Sequence, residues 1–143
     1  MKISAKAEYA CVALVELAIR HQRGLPTSLK NIAEQYGISQ PFLMQIFMQL
    51  KGAGLVLSVR GASGGYQLAR NPAAISLADV IDIIDGPPQH DTALSGLPES
   101  PVIRTLQSVW REVGVQERKI LEATSLAEIQ KKAYESDVIF YQI

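Results

Sequence analysis

LVLSVRGASGGYQLAR, from Leu55 to Arg70, sets two short apolar-alternating stretches on either side of a glycine-rich centre. In the first arm Leu55, Leu57 and Val59 alternate with Val56 and Ser58. In the second Tyr66 and Leu68 alternate likewise, which is the period of a strand. GASGG between them reads as the turn of a hairpin. Gly61, Gly64 and Gly65 admit the positive backbone angles of a tight tip and let its amides approach another surface. Arg60 stands at that tip, a cation suited to a narrow minor groove, and Ser63 beside it offers a hydroxyl to a phosphate. The glycines alone leave a surface hairpin without a partner equally open.

Working back towards the N-terminus, three helical stretches precede the hairpin. Ser4 caps AKAEYACVALVELAIRHQ, a helix ending near Gly24 and apolar on nearly every side, as a helix is when it is covered twice, here by its own domain and by a partner subunit. Ser28 caps LKNIAEQYG, where Leu29, Ile32, Ala33 and Tyr36 share a face and Gly37 supplies a left-handed stop. Ser39 then caps QPFLMQIFMQLKGAG, with Leu43, Ile46, Phe47 and Leu50 as the buried row and Pro41, Met44, Gln45 and Met48 opposite. Two helices joined so tightly match a helix-turn-helix or a plain helical hairpin. The hairpin that follows favours the first, because it supplies the wing. Gln40 and Gln45 are its chemically informative members, since a carboxamide donates and accepts at once and pairs in two-point fashion with an adenine edge.

Towards the C-terminus, Ser76 caps LADVIDIIDG, with Leu77, Val80, Ile81 and Ile84 expected inside and Asp79, Asp82 and Asp85 on a solvated face. A Pro-containing linker follows. A long helix from about Pro101 to Glu122 then repeats Ile103, Leu106, Val109, Trp110, Val113, Ile120 and Leu121 at helical spacing, with Gly114 as a point of kinking or close crossing. Such a face calls for a two-fold partner. Thr124 or Ser125 caps a last short helix, LAEIQKKAYES, and the apolar tail DVIFYQI is expected to pack. The fold class is therefore mainly α with a small β-hairpin. A winged helix-turn-helix over residues 1–86 is followed by linker, dimerisation helix and C-terminal segment over 87–143.

The zero net charge of the 143 residues conceals a division at Pro72. Up to it stand eight Lys and Arg against three Asp and Glu, and beyond it six against eleven, so a +5 half precedes a −5 half. The basic half suits a polyanion. No run approaches the about 18 apolar residues of a membrane span, and the start lacks a signal-peptide layout, which points to the cytoplasm. A single cysteine, Cys11, excludes an internal disulfide and a metal site of several thiolates from one chain. Cys11 reads as a core residue with a raised thiol pKa, the alternative being a redox sensor. His21 sits at a helix end. His90, in the linker, is the other candidate sensor or effector contact. No motif ties Cys11 to a base, and no phosphate loop or nucleophile elbow is present, so an enzyme is not expected. A winged helix used only for protein contacts stays open.

Three stretches together carry a resemblance: MKISAKAEYACVALVELA, ISQPFLMQIFMQLKGAGLVLSVRGASGGYQLAR and LADVIDIIDGP. They resemble the Rrf-type winged-helix transcriptional regulators, strongly from Met1 to about Gly86 and loosely through Thr124 to Ile129. GLV, SVRG and GGY between Gly54 and Tyr66 are its specific part. The resemblance implies a homodimeric repressor on an inverted-repeat operator in double-stranded DNA. It places base reading on Ser39, Gln40, Pro41, Met44 and Gln45, and the wing contact on Arg60; Ser63 and Gly64 of the same tip join them as candidate DNA contacts. Met44 stands where several relatives carry glutamate, so apolar contact with a thymine methyl replaces a carboxylate that would accept from cytosine. Many relatives hold an iron–sulfur cluster through three cysteines of the linker. The matching GPPQHDTALSGLPESP, Gly86 to Pro101, has none, so no cofactor is expected and a signal would come from a small-molecule or protein effector.

Overall fold

A computed structural model describes residues 2–89 and 91–142, with side chains as far as Glu135. Its elements are α1 (Ala5–His21), α2 (Leu29–Tyr36), α3 (Gln40–Gly52), the strands β1 (Val56–Val59) and β2 (Gly65–Leu68), α4 (Leu77–Asp85), α5 (Pro101–Ala123) and α6 (Leu126–Gln142). Serine opens the first five helices, because a side-chain oxygen one position outside the helix satisfies an amide that has no partner within it. Ser4, Ser28, Ser39, Ser76 and Ser100 accept from the backbone N–H of Ala7, Asn31, Phe42, Asp79 and Ile103 at 3.0 to 3.4 Å. Gly37 closes α2 in the left-handed conformation, at φ 67°. No helix among the described residues is long and apolar enough to cross a membrane.

The core forms around α1, whose Ala10, Ala13, Leu14, Leu17 and Ala18 are buried together with Leu43, Ile46, Phe47 and Leu50 of α3. The near-uniform apolarity of α1 had suggested a partner subunit as its second cover. Within its own chain α3, α4, α6 and β2 all pack on it, and Cys11, Val12, Val15 and Ile19 stay half-buried. The contact with α6 depends on a return of the chain. Leu126 is fully buried in the same core, its N–H donates to the Ile75 carbonyl at 2.9 Å, and the Leu77 N–H donates to Thr124 at 2.9 Å. Ser125 caps α6, accepting from Glu128 at 3.1 Å. This last helix reaches Gln142 rather than stopping near Ser136. The side chains of the apolar tail lie outside the described residues.

The three carboxylates of α4 keep the expected contact with solvent, Asp79 and Asp85 exposed and Asp82 half-buried, but each also has a structural partner. Asp79 accepts from the Ser76 N–H at 2.9 Å, closing a capping box. Asp82 takes both arms of the Arg118 guanidinium at 2.7 and 2.6 Å, and Asp85 bonds the backbone N–H and the hydroxyl of Ser4. Period-3 spacing put them on one surface, and that surface faces α5 and the start of α1. In the hairpin, antiparallel pairing of Val56 with Leu68 and of Ser58 with Tyr66 selects the inward row. Val56 and Leu68 are buried, whereas Leu57 and Val59 face solvent. Gly114 causes no break, for α5 runs unbroken through it.

The hairpin glycines divide their duties differently from the expectation. Gly61 has φ 114°, but Gly64 is not in the positive region. Its constraint is space, because a Cβ there would lie 2.2 Å from the Val59 carbonyl oxygen. At Gly65 a Cβ would lie 2.3 Å from the carbonyl oxygen of Thr27, the residue that bridges to Tyr66. Gly65→Ala is therefore expected to lower unfolding stability by roughly 1–3 kcal/mol. Gly52→Ala, at a helical position with nothing within 4 Å, is expected to be neutral or to raise stability by up to about 1 kcal/mol. Urea midpoints of the two variants that fall together would contradict the packing of the wing on Thr27.

Candidate nucleic-acid interface

One face of α3 is fastened and the other is free. Leu43, Ile46, Phe47 and Leu50 are fully buried, which turns Pro41, Met44, Gln45 and Met48 outward at i, i+3, i+4 and i+7. Gln40 and Gln45 are exposed, and Met44 and Met48 expose 49% and 67% of their surface, a large apolar area for side chains with no cover in the chain. The N-terminus of α3 adds the positive end of its dipole to this face. Ser39 takes part mainly as the cap, its oxygen holding the Phe42 N–H at 3.4 Å.

The wing stands beside this helix and is tied to it. Tyr66 lies against Phe47 with ring centroids 4.8 Å apart, and its backbone exchanges two hydrogen bonds of 2.9 Å with Thr27, just before α2. At the rim the Lys51 ammonium, on the last turn of α3, donates to the Ser58 hydroxyl of β1 at 2.9 Å. Lys51 and Ser58 escaped the sequence reading. A lysine in the final helical turn is visible there as a dipole partner, but its reach to the strand depends on how tightly Gly54, at φ 78°, turns the chain. Arg60 and Ser63 are exposed at the tip, and among the described residues no carboxylate pairs with Arg60. The Gly64 N–H donates to the Gly61 carbonyl at 3.0 Å, so this amide holds the tip and is not available to a phosphate.

This helix-turn-helix with an attached wing has counterparts throughout known proteins. The Rrf2 model, described as "Iron-dependent Transcriptional regulator", matches residues 3–132. The chain belongs to the Rrf2 family. It is 39% identical over 129 residues to the HTH-type transcriptional regulator CymR of Bacillus subtilis, covering 90% of this chain and 89% of the relative. The solved structure of CymR, titled as the global cysteine regulator of B. subtilis, superposes with a TM-score of 0.79 at 36% identity, over 92% of this chain and 98% of that one. T. potens IscR gives 0.78 at 38% identity, over 95% and 90%. As a member of this family the protein is a winged-helix transcriptional regulator and not an enzyme, and double-stranded DNA is the partner the family implies.

Tyr36 and Cys11 lie on elements other than α3 and the wing. Tyr36, expected in the buried row of α2, is 43% exposed. Its hydroxyl donates to Glu16 of α1, and partial burial together with that carboxylate pushes its pKa up to about 12. His90 lies outside the described residues. Cys11 is half-buried on α1, and burial, reinforced by the carboxylates of Glu8 and Asp85, pushes its thiol up to about 11. Because the thiolate is the reactive form, Cys11 at pH 8 is expected to react with an aromatic disulfide reagent about a hundredfold more slowly than an unperturbed thiol. Adding denaturant should restore the ordinary rate. A fast reaction in the native protein would return the redox-sensor reading to consideration.

Proposed function

We propose that this Rrf2-family regulator is a homodimeric, sequence-specific repressor that binds an inverted-repeat operator in the cytoplasm, with α3 in the major groove and the wing in the adjacent minor groove. The observation that carries this reading is the outward face of α3. Gln40 and Gln45 offer paired donors and acceptors there, Met44 offers apolar contact for thymine methyls, and the uncompensated Arg60 stands on the wing tied to the same helix. A dimer with its recognition helices about 34 to 36 Å apart spans two successive major grooves, enough duplex to obstruct a promoter. A winged helix devoted to protein contacts would have no use for a carboxamide pair at a helix N-terminus.

The dimer reading rests on α5, in which no side chain is buried. Val102, Leu106, Val109, Val113 and Ile120 follow one another at steps of four, three, four and seven along it and are 37% to 66% exposed. That is a heptad seam lacking its second strand. The linker before α5 is the place where an effector would change the separation of the two recognition helices.

We further propose that the protein carries no cysteine-ligated cluster. The donor set does not fit one: Cys11 is the only cysteine, it lies on α1 remote in sequence from the linker, and its raised pKa disfavours the thiolate that ligation needs. Among the described residues no group of three His, Cys, Asp or Glu side chains is placed to hold a metal ion.

Three experiments test these statements. Gln45→Ala is expected to lose roughly 1–3 kcal/mol on the selected operator and to relax preference at one base pair. Arg60→Ala should weaken binding most on sites with an A·T-rich minor groove. If both variants bind every duplex as tightly as the parent, the assignment of helix and wing is wrong. The paired substitution Val109→Asp with Val113→Asp is expected to give a folded monomer in sedimentation with operator affinity reduced by about two orders of magnitude. A dimer that survives it would move the interface off α5. Anaerobic purification with iron and sulfide analysis should find neither in stoichiometric amount, and near-stoichiometric iron would refute the cluster-free reading.

A further inference from the structure

The chain has three methionines, and the two within the described residues both stand on the outward face of α3. Met44 and Met48 are one helical turn apart and expose 49% and 67% of their surface. The core is built without them, from Ala, Leu, Ile, Val and Phe side chains. A thioether ordinarily fills gaps in such a core, where packing shields its sulfur. Here two thioethers lie open to solution, on the face that also carries Gln40 and Gln45.

The other sulfur of the described residues is differently placed. Cys11 is half-buried and packs against the core from α1, with the carboxylates of Glu8 and Asp85 acting on it. Thiol oxidation proceeds through the thiolate, which burial and those two charges disfavour. A thioether has no proton to lose, so a peroxide attacks it wherever the sulfur is accessible.

We propose that Met44 and Met48 are a reversible oxidation site through which peroxides weaken DNA binding. The proposal rests on the DNA-binding reading given above. In each event a sulfur lone pair attacks one oxygen of hydrogen peroxide, and the O–O bond breaks as the S–O bond forms. The sulfur gives up two electrons, and the second oxygen leaves as water with both peroxide protons. No charge changes on the protein, but an apolar group becomes a polar acceptor that has nothing to donate. The groups that a major groove turns towards such a helix are largely acceptors as well, namely guanine N7 and O6, adenine N7 and thymine O4, with the thymine methyl as the apolar member. A sulfoxide at Met44 therefore forfeits the methyl contact and sets oxygen against oxygen, and the desolvation of an unpaired acceptor adds to the cost. Leu43, Ile46, Phe47 and Leu50 face the other way and are fully buried, so the fold survives the modification.

Hydrogen peroxide is expected to add one oxygen to each of Met44 and Met48 in the native protein, within an order of magnitude of the rate in denaturant, as read by peptide mass spectrometry. Circular dichroism should stay that of the untreated protein. Operator affinity should fall about tenfold or more and return after treatment with methionine sulfoxide reductases for both epimers. Met44→Leu combined with Met48→Leu should make operator affinity, whatever its untreated value, insensitive to peroxide. Cys11→Ala should leave the sensitivity in place. Unchanged affinity after complete oxidation of both methionines, or equal sensitivity in the double leucine variant, would overturn the proposal. Loss of sensitivity in Cys11→Ala would overturn it in favour of the thiol. A parent that binds no duplex before treatment sinks the DNA-binding reading and the switch together, whereas binding that survives the oxidation sinks the switch alone.

Discussion

The cover that the chain gives to α1 is the constraint on which the other placements depend. Alanines at positions 7, 10, 13 and 18 let neighbouring backbones approach closely, and Leu14 and Leu17 fill the remaining volume, so the helix works as a common floor. α3 has a presentable face only because its four large apolar side chains are pressed into that floor. α4 and α6 close the other sides, and α6 can do so only after the chain has travelled out along α5 and back. The outward face of α3 is thus held from behind by residues far apart in sequence.

Charge acts within this arrangement at short range. In the acidic half of the chain the carboxylates of α4 are structural. Asp79 caps its own helix, Asp85 holds the first residues of α1, and Asp82 holds α5 through a two-armed guanidinium contact. The Arg118–Asp82 pair is only about a third exposed at either end. Screening weakens such a pair less than an open surface bridge, so it is a specific tie between the linker-borne helix and the rest of the molecule.

What the sequence made legible is what local physics decides. The serine caps at Ser4, Ser28, Ser39 and Ser76, the left-handed Gly37, the buried row of α3 and the hairpin itself all follow from neighbours within a few residues. What escaped reading depends on distant partners. Nothing near Asp82 announces Arg118, and nothing near Leu126 announces Ile75. The row of Leu57 and Val59 looked as suited to the core as that of Val56, until strand register and the position of Phe47 decided between them. The candidate site shared this division: Gln40, Met44, Gln45 and Arg60 were readable from pattern and position, whereas the strut from Lys51 to Ser58 needed the turn between helix and strand to be known.

That strut, the Phe47–Tyr66 contact and the close fit of Gly65 on Thr27 have a consequence for how such a protein and its target sites change together. Helix and wing are tied into one calliper by these contacts. On the proposed DNA-binding reading, a substitution at Gln45 or Arg60 would alter which base suits one jaw, while the number of base pairs between the positions read by the two jaws would stay constant. Drift in a set of operators would then be free in letter and rigid in phase within each proposed half-site. Any elasticity in layout would be confined to the centre of the proposed inverted repeat, between the two callipers.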